Sequence, residues 1–150
     1  MAPADDSPVP VTLRGQLRAW GTSAIPPMTL TTLILAQHLR PPQALPLLFA
    51  PPLIFGSYLT LGGFKIDGGG IWGAWSGMYA LLAWRRKPKP GLGQPTGLAR
   101  YFSLRGVVRG AAMTLGAANC VAGLYTYATG NREEEERERR ELNRWGVYKD

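Results

Sequence analysis

The sequence predicts an all-α integral membrane fold, with three to four short transmembrane helices in hairpins followed by a charged soluble helix at the C-terminus. Two observations carry this. Residues 25–63 contain only His38 and Arg40 among side chains that ionise near neutral pH, and residues 110–130 contain none. Within these blocks glycine alternates with Trp, Tyr and Leu, the pattern of closely packed membrane helices. The mean hydropathy of -0.09 hides the blocks by averaging them with very polar ends.

The elements follow in order. Residues 1–24 are polar and proline-rich, with Arg14, Arg18 and Trp20 as an interfacial anchor. Their start lacks the basic and apolar regions of a secretory signal, and Asp5 and Asp6 argue against a cleaved mitochondrial presequence. A membrane domain over 25–130 comes next. Its first segment, 28–39, is apolar, but twelve residues at ~1.5 Å each reach only about 18 Å, so it spans only if preceding residues join it. Arg40-Pro41-Pro42 stops it. Segment two, 43–63, has the length to cross a hydrocarbon core of about 30 Å, with a bend at Pro46, Pro51 and Pro52. The glycine-rich stretch 64–70 reads as a tight turn, with Asp67 pairing Lys65 or capping the next helix. Segment three, 68–84, is short for a span and ends at Trp84-Arg85-Arg86-Lys87. A Pro, Gly and Lys linker leads to segment four, 107–128, whose Tyr125 and Tyr127 lie near its far end.

The tail, 131–150, carries six basic and seven acidic residues. Asn131 and Glu134 have capping-box spacing, and Glu133 with Arg137, Glu135 with Arg139 and Glu136 with Arg140 have favourable i,i+4 order. A solvated helix ending near Asn143 is expected, leaving Trp145 and Tyr148 to dock on a partner.

The net charge of +7 therefore resides outside the tail: residues 7–130 hold eleven Lys and Arg against the single acid Asp67. Basic residues beside apolar spans are topology signals before they are a nucleic-acid footprint. They orient the 85–103 linker toward the more negative compartment, and both termini to the opposite side if all four segments cross. Arg85, Arg86, Lys87 and Lys89 are also candidates to hold the headgroup of an anionic phospholipid such as cardiolipin.

Little in the chain points to chemistry. Gly68-Gly69-Gly70 lacks the Lys and Ser or Thr of a Walker loop, and Gly91-Leu-Gly93 has no strand before it. His38 is the only histidine, Cys120 the only cysteine, so no catalytic residue, metal site or cofactor is expected. The informative constellation is steric. Gly56 and Thr60, Gly73 and Gly77, Ala112 and Gly116, and Asn119 and Gly123 are spaced four apart, so each pair marks a helix face that admits a neighbouring backbone. Asn119 adds an interhelical hydrogen bond.

Phe55-Gly-Ser-Tyr58, Asp67-Gly-Gly-Gly70, Trp75-Ser-Gly-Met-Tyr79, Ala118-Asn119, Tyr125 and Ala128-Thr-Gly130 resemble the fungal altered inheritance of mitochondria family, member nineteen. The layout is also similar to the fungal respiratory complex I accessory subunit NUXM. The resemblance covers about half the chain, 55–130. It implies a multi-pass protein of the mitochondrial inner membrane, with the linker in the matrix and the C-terminus in the intermembrane space. The expected function is a non-catalytic accessory subunit of NADH:ubiquinone oxidoreductase, partnered by other membrane subunits and phospholipid. A free-standing small channel or carrier using Asp67, Lys65 or His38 is the alternative.

Overall fold

A computed structural model of the chain describes residues 12–86, 93, 97–143 and 146–147. Among these the protein is helical and contains no strand. The helices are α1 (Leu13–Gly21), α2 (Ile25–His38), α3 (Ala44–Leu47), α4 (Ala50–Leu61), α5 (Lys65–Arg85), α6 (Leu104–Thr129) and α7 (Arg132–Leu142), with a 3-10 turn over Gly97–Arg100 before α6.

Local chemistry sets most boundaries. The Thr12 side chain caps α1 by accepting from the Gly15 N–H. Pro26 and Pro27 occupy the first turn of α2, where a missing N–H costs nothing. Pro51 and Pro52 play the same part in α4, which is why segment two is two pieces, α3 and α4, meeting at Leu48 and Phe49. Ser103 caps α6 by accepting from the Gly106 N–H.

The expected turn over 64–70 is not there. The chain reverses at Gly62, Gly63 and Phe64, with Gly63 at φ 92°, and Lys65 through Gly70 already form the first turns of α5. Three successive glycines are poor helix formers in isolation. Packing overrides that preference: a Cβ on Gly68 would meet Gly56 O of α4 at 2.6 Å, and one on Gly69 would lie 3.1 Å from Gly21 O. Residues 12–24 hold a capped helix, α1, separated from α2 by a short turn at 22–24. Segment one therefore gains only Ile25, Pro26 and Pro27 from the residues before it, and α2, at 14 residues, reaches about 21 Å.

Pairwise packing gives the topology. Gly56 of α4 lies against Trp72 of α5, and Thr60 lies against Gly68, so these helices are antiparallel. Gly116 faces Ser76 and Ala80 while Gly123 faces Gly69 and Gly73, so α5 and α6 are antiparallel too. Gly21, before α2, lies beside Gly69, and His38, at its end, stacks edge-on against Tyr79. Thus α2 runs alongside α5 in the same direction. The result is an up-and-down bundle of α2, α3–α4, α5 and α6. One end carries α1 and α7; the other carries the turn after α2, the end of α5 and the start of α6.

Two stretches, Ala44–Leu61 and Leu104–Thr129, are long and apolar enough to cross a membrane. The 21-residue α5 has the length but is diluted by five glycines and three tryptophans.

Candidate functional site

Six of the residues singled out for helix packing, Gly56, Thr60, Gly73, Gly77, Gly116 and Gly123, lie where α4, α5 and α6 meet. A Cβ added to Gly56 would sit 3.1 Å from the Trp72 backbone N, and one added to Gly73 would sit 3.0 Å from Gly123 Cα. One added to Gly116 would sit 3.0 Å from Ser76 O, and one added to Gly77 would sit 2.5 Å from Cys120 Sγ. At Gly123 the nearest backbone atoms are Gly69 O at 2.4 Å and Gly73 Cα at 2.8 Å. Ala112 and Asn119 are fully buried. Thr60 Oγ1 donates to Gly56 O at 3.0 Å and accepts from the Trp72 indole at 3.2 Å, a polar link between α4 and α5. Gly68 and Gly69, read as turn residues in the sequence, belong to the same contact: a Cβ on Gly68 would meet Gly56 O at 2.6 Å. Their spacing to Gly73 and Gly77 was the available signal, since residues 69, 73 and 77 fall on one helical face.

The interior of this bundle joins an apolar core of Leu30, Ile34, Phe49, Leu53, Trp72 and Tyr79 to buried polar side chains. Thr31, Ser57, Thr60, Ser76, Asn119 and Thr126 are buried, whereas Ile54, Phe55, Tyr58, Leu61, Leu81, Val121 and Leu124 are exposed on the outside. Ser57 and Thr31 satisfy their hydroxyls by donating to carbonyls one turn earlier, Leu53 O at 2.7 Å and Pro27 O at 2.8 Å. Asn119 Oδ1 accepts from the Trp20 indole at 2.9 Å, fastening α1 to α6. Trp20 is thus a tertiary hook as well as an aromatic near the chain's entry.

At the α7 end, charged groups assemble into a latch. Glu135 is buried and accepts the Ile66 N–H at 2.7 Å, capping α5 from 69 residues away. Lys65 pairs with Glu138 at 3.1 Å and Asp67 with Arg132 at 2.9 Å, so Asp67 does not pair with Lys65 as expected. The Arg139 guanidinium lies 3.9 Å above the centre of the Phe64 ring. Asn131 caps α7 by accepting the Glu133 N–H at 3.1 Å. Glu136 and Arg140 form their i,i+4 pair at 2.5 Å, whose hydrogen bond and charge hold the Glu136 carboxyl below its ordinary range. Glu135 and Arg139 do not pair with each other but turn inward, so one face of the supposedly solvated helix is a docking face. Trp145 and Tyr148 lie outside the described residues.

At the opposite end, Arg109 of α6 donates to the carbonyls of Ala83 (2.5 Å) and Arg86, closing the C-terminus of α5. Arg86 donates to Gln43 Oε1 at 3.3 Å. His38 Nδ1 contacts Ile34 O at 2.9 Å. Of the lipid candidates, Arg85 and Arg86 lie here, exposed, while Lys87 and Lys89 fall outside the described residues. Arg40, Arg100, Arg105 and Arg109 join them from other segments, a convergence that adjacency in sequence does not reveal.

Among the described residues no three His, Cys, Asp or Glu side chains come together in a way that would hold a metal ion. Comparison with family models, with curated proteins and with solved structures finds no match to this chain.

Proposed function

We propose that this chain is a multi-pass membrane protein that works by being packed: a non-catalytic structural subunit of a larger membrane assembly. The observation that carries the reading is how much large apolar surface stays outside. A core of Leu30, Ile34, Phe49, Leu53, Trp72 and Tyr79 is buried and small residues line the seams between α4, α5 and α6, yet Ile54, Phe55, Leu61, Leu81, Val121 and Leu124 remain exposed. Only 39% of the Ala44–Leu61 window and 28% of the most apolar window in Leu104–Thr129 are buried, whereas an apolar core helix of a water-soluble domain hides most of its surface. Helices that associate by backbone approach and leave large apolar groups outside are suited to lipid or to neighbouring helices.

In this reading α4, α5 and α6 cross the bilayer, and α2, at about 21 Å, crosses with help from its flanking turns. The basic end faces the negative compartment. Following the resemblance of residues 55–130, the assembly is the membrane arm of mitochondrial complex I in the inner membrane, with the basic end in the matrix. Solubilisation in mild detergent followed by native separation tests this. Co-migration with a respiratory complex is the expected result; migration only at monomer mass would overturn it.

A channel or carrier routed through Asp67, Lys65 or His38 has less support. Asp67 and Lys65 are engaged in ion pairs at one end of the bundle, and His38 lies at the other.

A further inference from the structure

The two ends of the bundle differ in charge. Around α1, α7 and the start of α5, the described residues place seven Lys and Arg among seven Asp and Glu. The other end gathers Arg40, Arg85, Arg86, Arg100, Arg105 and Arg109, and the chain has no carboxylate anywhere from residue 68 to residue 132. Two of these arginines are structural. Arg109 holds the carbonyls that end α5, and Arg86 reaches Gln43, which ties the turn after α2, the end of α5 and the start of α6 into one platform.

A second feature adjoins the first. Ser103 Oγ donates to Arg100 O at 2.7 Å and accepts the Gly106 N–H at 3.2 Å. The corner is tight: a Cβ on Gly106 would lie 2.3 Å from Arg100 O. This fixed corner presents Leu98, Tyr101, Phe102 and Leu104 at 78%, 71%, 82% and 82% exposure, interleaved with arginines. Large apolar groups alternating with cations are the composition of a segment lying at a membrane surface, where rings and aliphatic chains enter the acyl boundary and cations meet phosphates.

We infer that this end is a binding site for the phosphodiester headgroups of anionic phospholipids, with Arg40, Arg85 and Arg105 as the contacting cations and Tyr101 and Phe102 as the part that enters the acyl layer. The inference rests on the membrane reading above and adds what that reading leaves open, a preference for one lipid class. A guanidinium presents a planar fork of donors that matches phosphate oxygens. A planar array of phosphates meets several arginines at once without requiring any carboxylate from the chain. Free phosphate would satisfy the charge but leave four large apolar side chains in water. An acidic protein surface would satisfy the charge and has no use for an acyl-directed aromatic edge.

The test uses the full chain reconstituted in bilayers of phosphatidylcholine and phosphatidylglycerol in equal parts, with retained lipids counted by native mass spectrometry after extraction. The wild type is expected to retain phosphatidylglycerol preferentially. Each arginine near an anionic surface is worth about fivefold in binding. The variant Arg40→Gln/Arg85→Gln/Arg105→Gln should therefore lose the preference by at least tenfold, with an unchanged helical signal and melting temperature. Arg14→Gln/Arg18→Gln, at the neutral end, should keep it. Tyr101→Ser/Phe102→Ser should weaken retention, giving a second variant that leaves the charges intact. Equal retention of both lipids, or a preference that survives the triple variant, overturns the inference. Displacement of the lipid by inorganic phosphate or by polyglutamate also overturns it, in favour of a simple anion site or an acidic protein partner. Failure of the protein to enter bilayers at all, seen by flotation, overturns the membrane reading together with this one; insertion without headgroup preference overturns this one alone.

Discussion

At the scale of single residues, the seam between α5 and α6 depends on hydrogen where other sequences place a side chain. The atoms that a Cβ on Gly123 would meet include Gly69 O and Gly73 Cα, which move only if a helix moves. Gly123→Ala is therefore expected to cost about 3 kcal/mol, the upper range for overpacking a close contact. Gly110 lies on the same helix with nothing within 4 Å of its added Cβ. Gly110→Ala should be neutral or stabilising by up to ~1 kcal/mol, from helix propensity alone. Thermal unfolding of the two variants in one detergent checks the contrast; equal melting temperatures would refute the seam. Trp20 offers an independent probe. Trp20→Phe keeps a ring but removes the N–H that satisfies the buried Asn119 Oδ1, and should cost ~1–3 kcal/mol. The Trp20→Phe/Asn119→Ala double variant should cost less than the sum of the two single changes, since both act on one bond.

At the scale of elements, the parts of the fold that the sequence revealed are those written in local code. Segment four, expected over 107–128, lies within α6, Leu104–Thr129, because the chain carries no charge from Gly110 to Gly130. The bend in segment two follows from Pro51 and Pro52. The glycine stretch 68–70 is misread because the same residues that favour a turn in isolation also permit the closest helix contact, and only the partner helices decide between the two. The latch is illegible for a related reason: Glu135 and Arg139 form an attractive i,i+4 pair on paper, but the capping demand of α5 and the Phe64 ring are tertiary facts. That demand makes a prediction. Glu135→Ala removes a charge-assisted cap and should cost about 1.5–3 kcal/mol, while Glu138→Ala, which breaks an exposed pair, should cost under ~1 kcal/mol. Limited proteolysis at residues 129–132 should accelerate in the first variant and scarcely change in the second. Glu136 sets a pH dependence within α7. Its native pKa is lowered by Arg140, so its contribution is present above the ordinary value of 4.5 and is lost as pH falls through the lowered native value. Amide-exchange protection across this turn should decline over that window, and Glu136→Gln should remove this component of the decline.

At the scale of the whole molecule, and on the proposed membrane reading, the arrangement of α1 and α7 constrains the path of the chain across a bilayer more firmly than hydropathy does. By length and composition α2 is a doubtful span, and hydropathy alone leaves the side of the N-terminus open. Packing narrows the choice. Gly21, the last residue of α1, lies against Thr126 and Ala122 near the end of α6, and Gly15 and Arg18 share a cavity of about 400 Å³ with Asn131, Glu134 and Glu138. The segment entering α2 and the segment leaving α6 are thus held at one end, and α2 delivers the chain to the other end beside Tyr79 and Arg86. If α4, α5 and α6 cross, α2 has to carry the chain across as well, despite its length. Single cysteines placed by Gln16→Cys, Arg137→Cys and Leu98→Cys in a Cys120→Ser background test this in oriented vesicles. A membrane-impermeant maleimide should label positions 16 and 137 from one side only and position 98 from the other side only. Labelling of 16 and 98 from the same side would mean that α2 enters the bilayer without crossing, and that the bundle opens when it meets lipid.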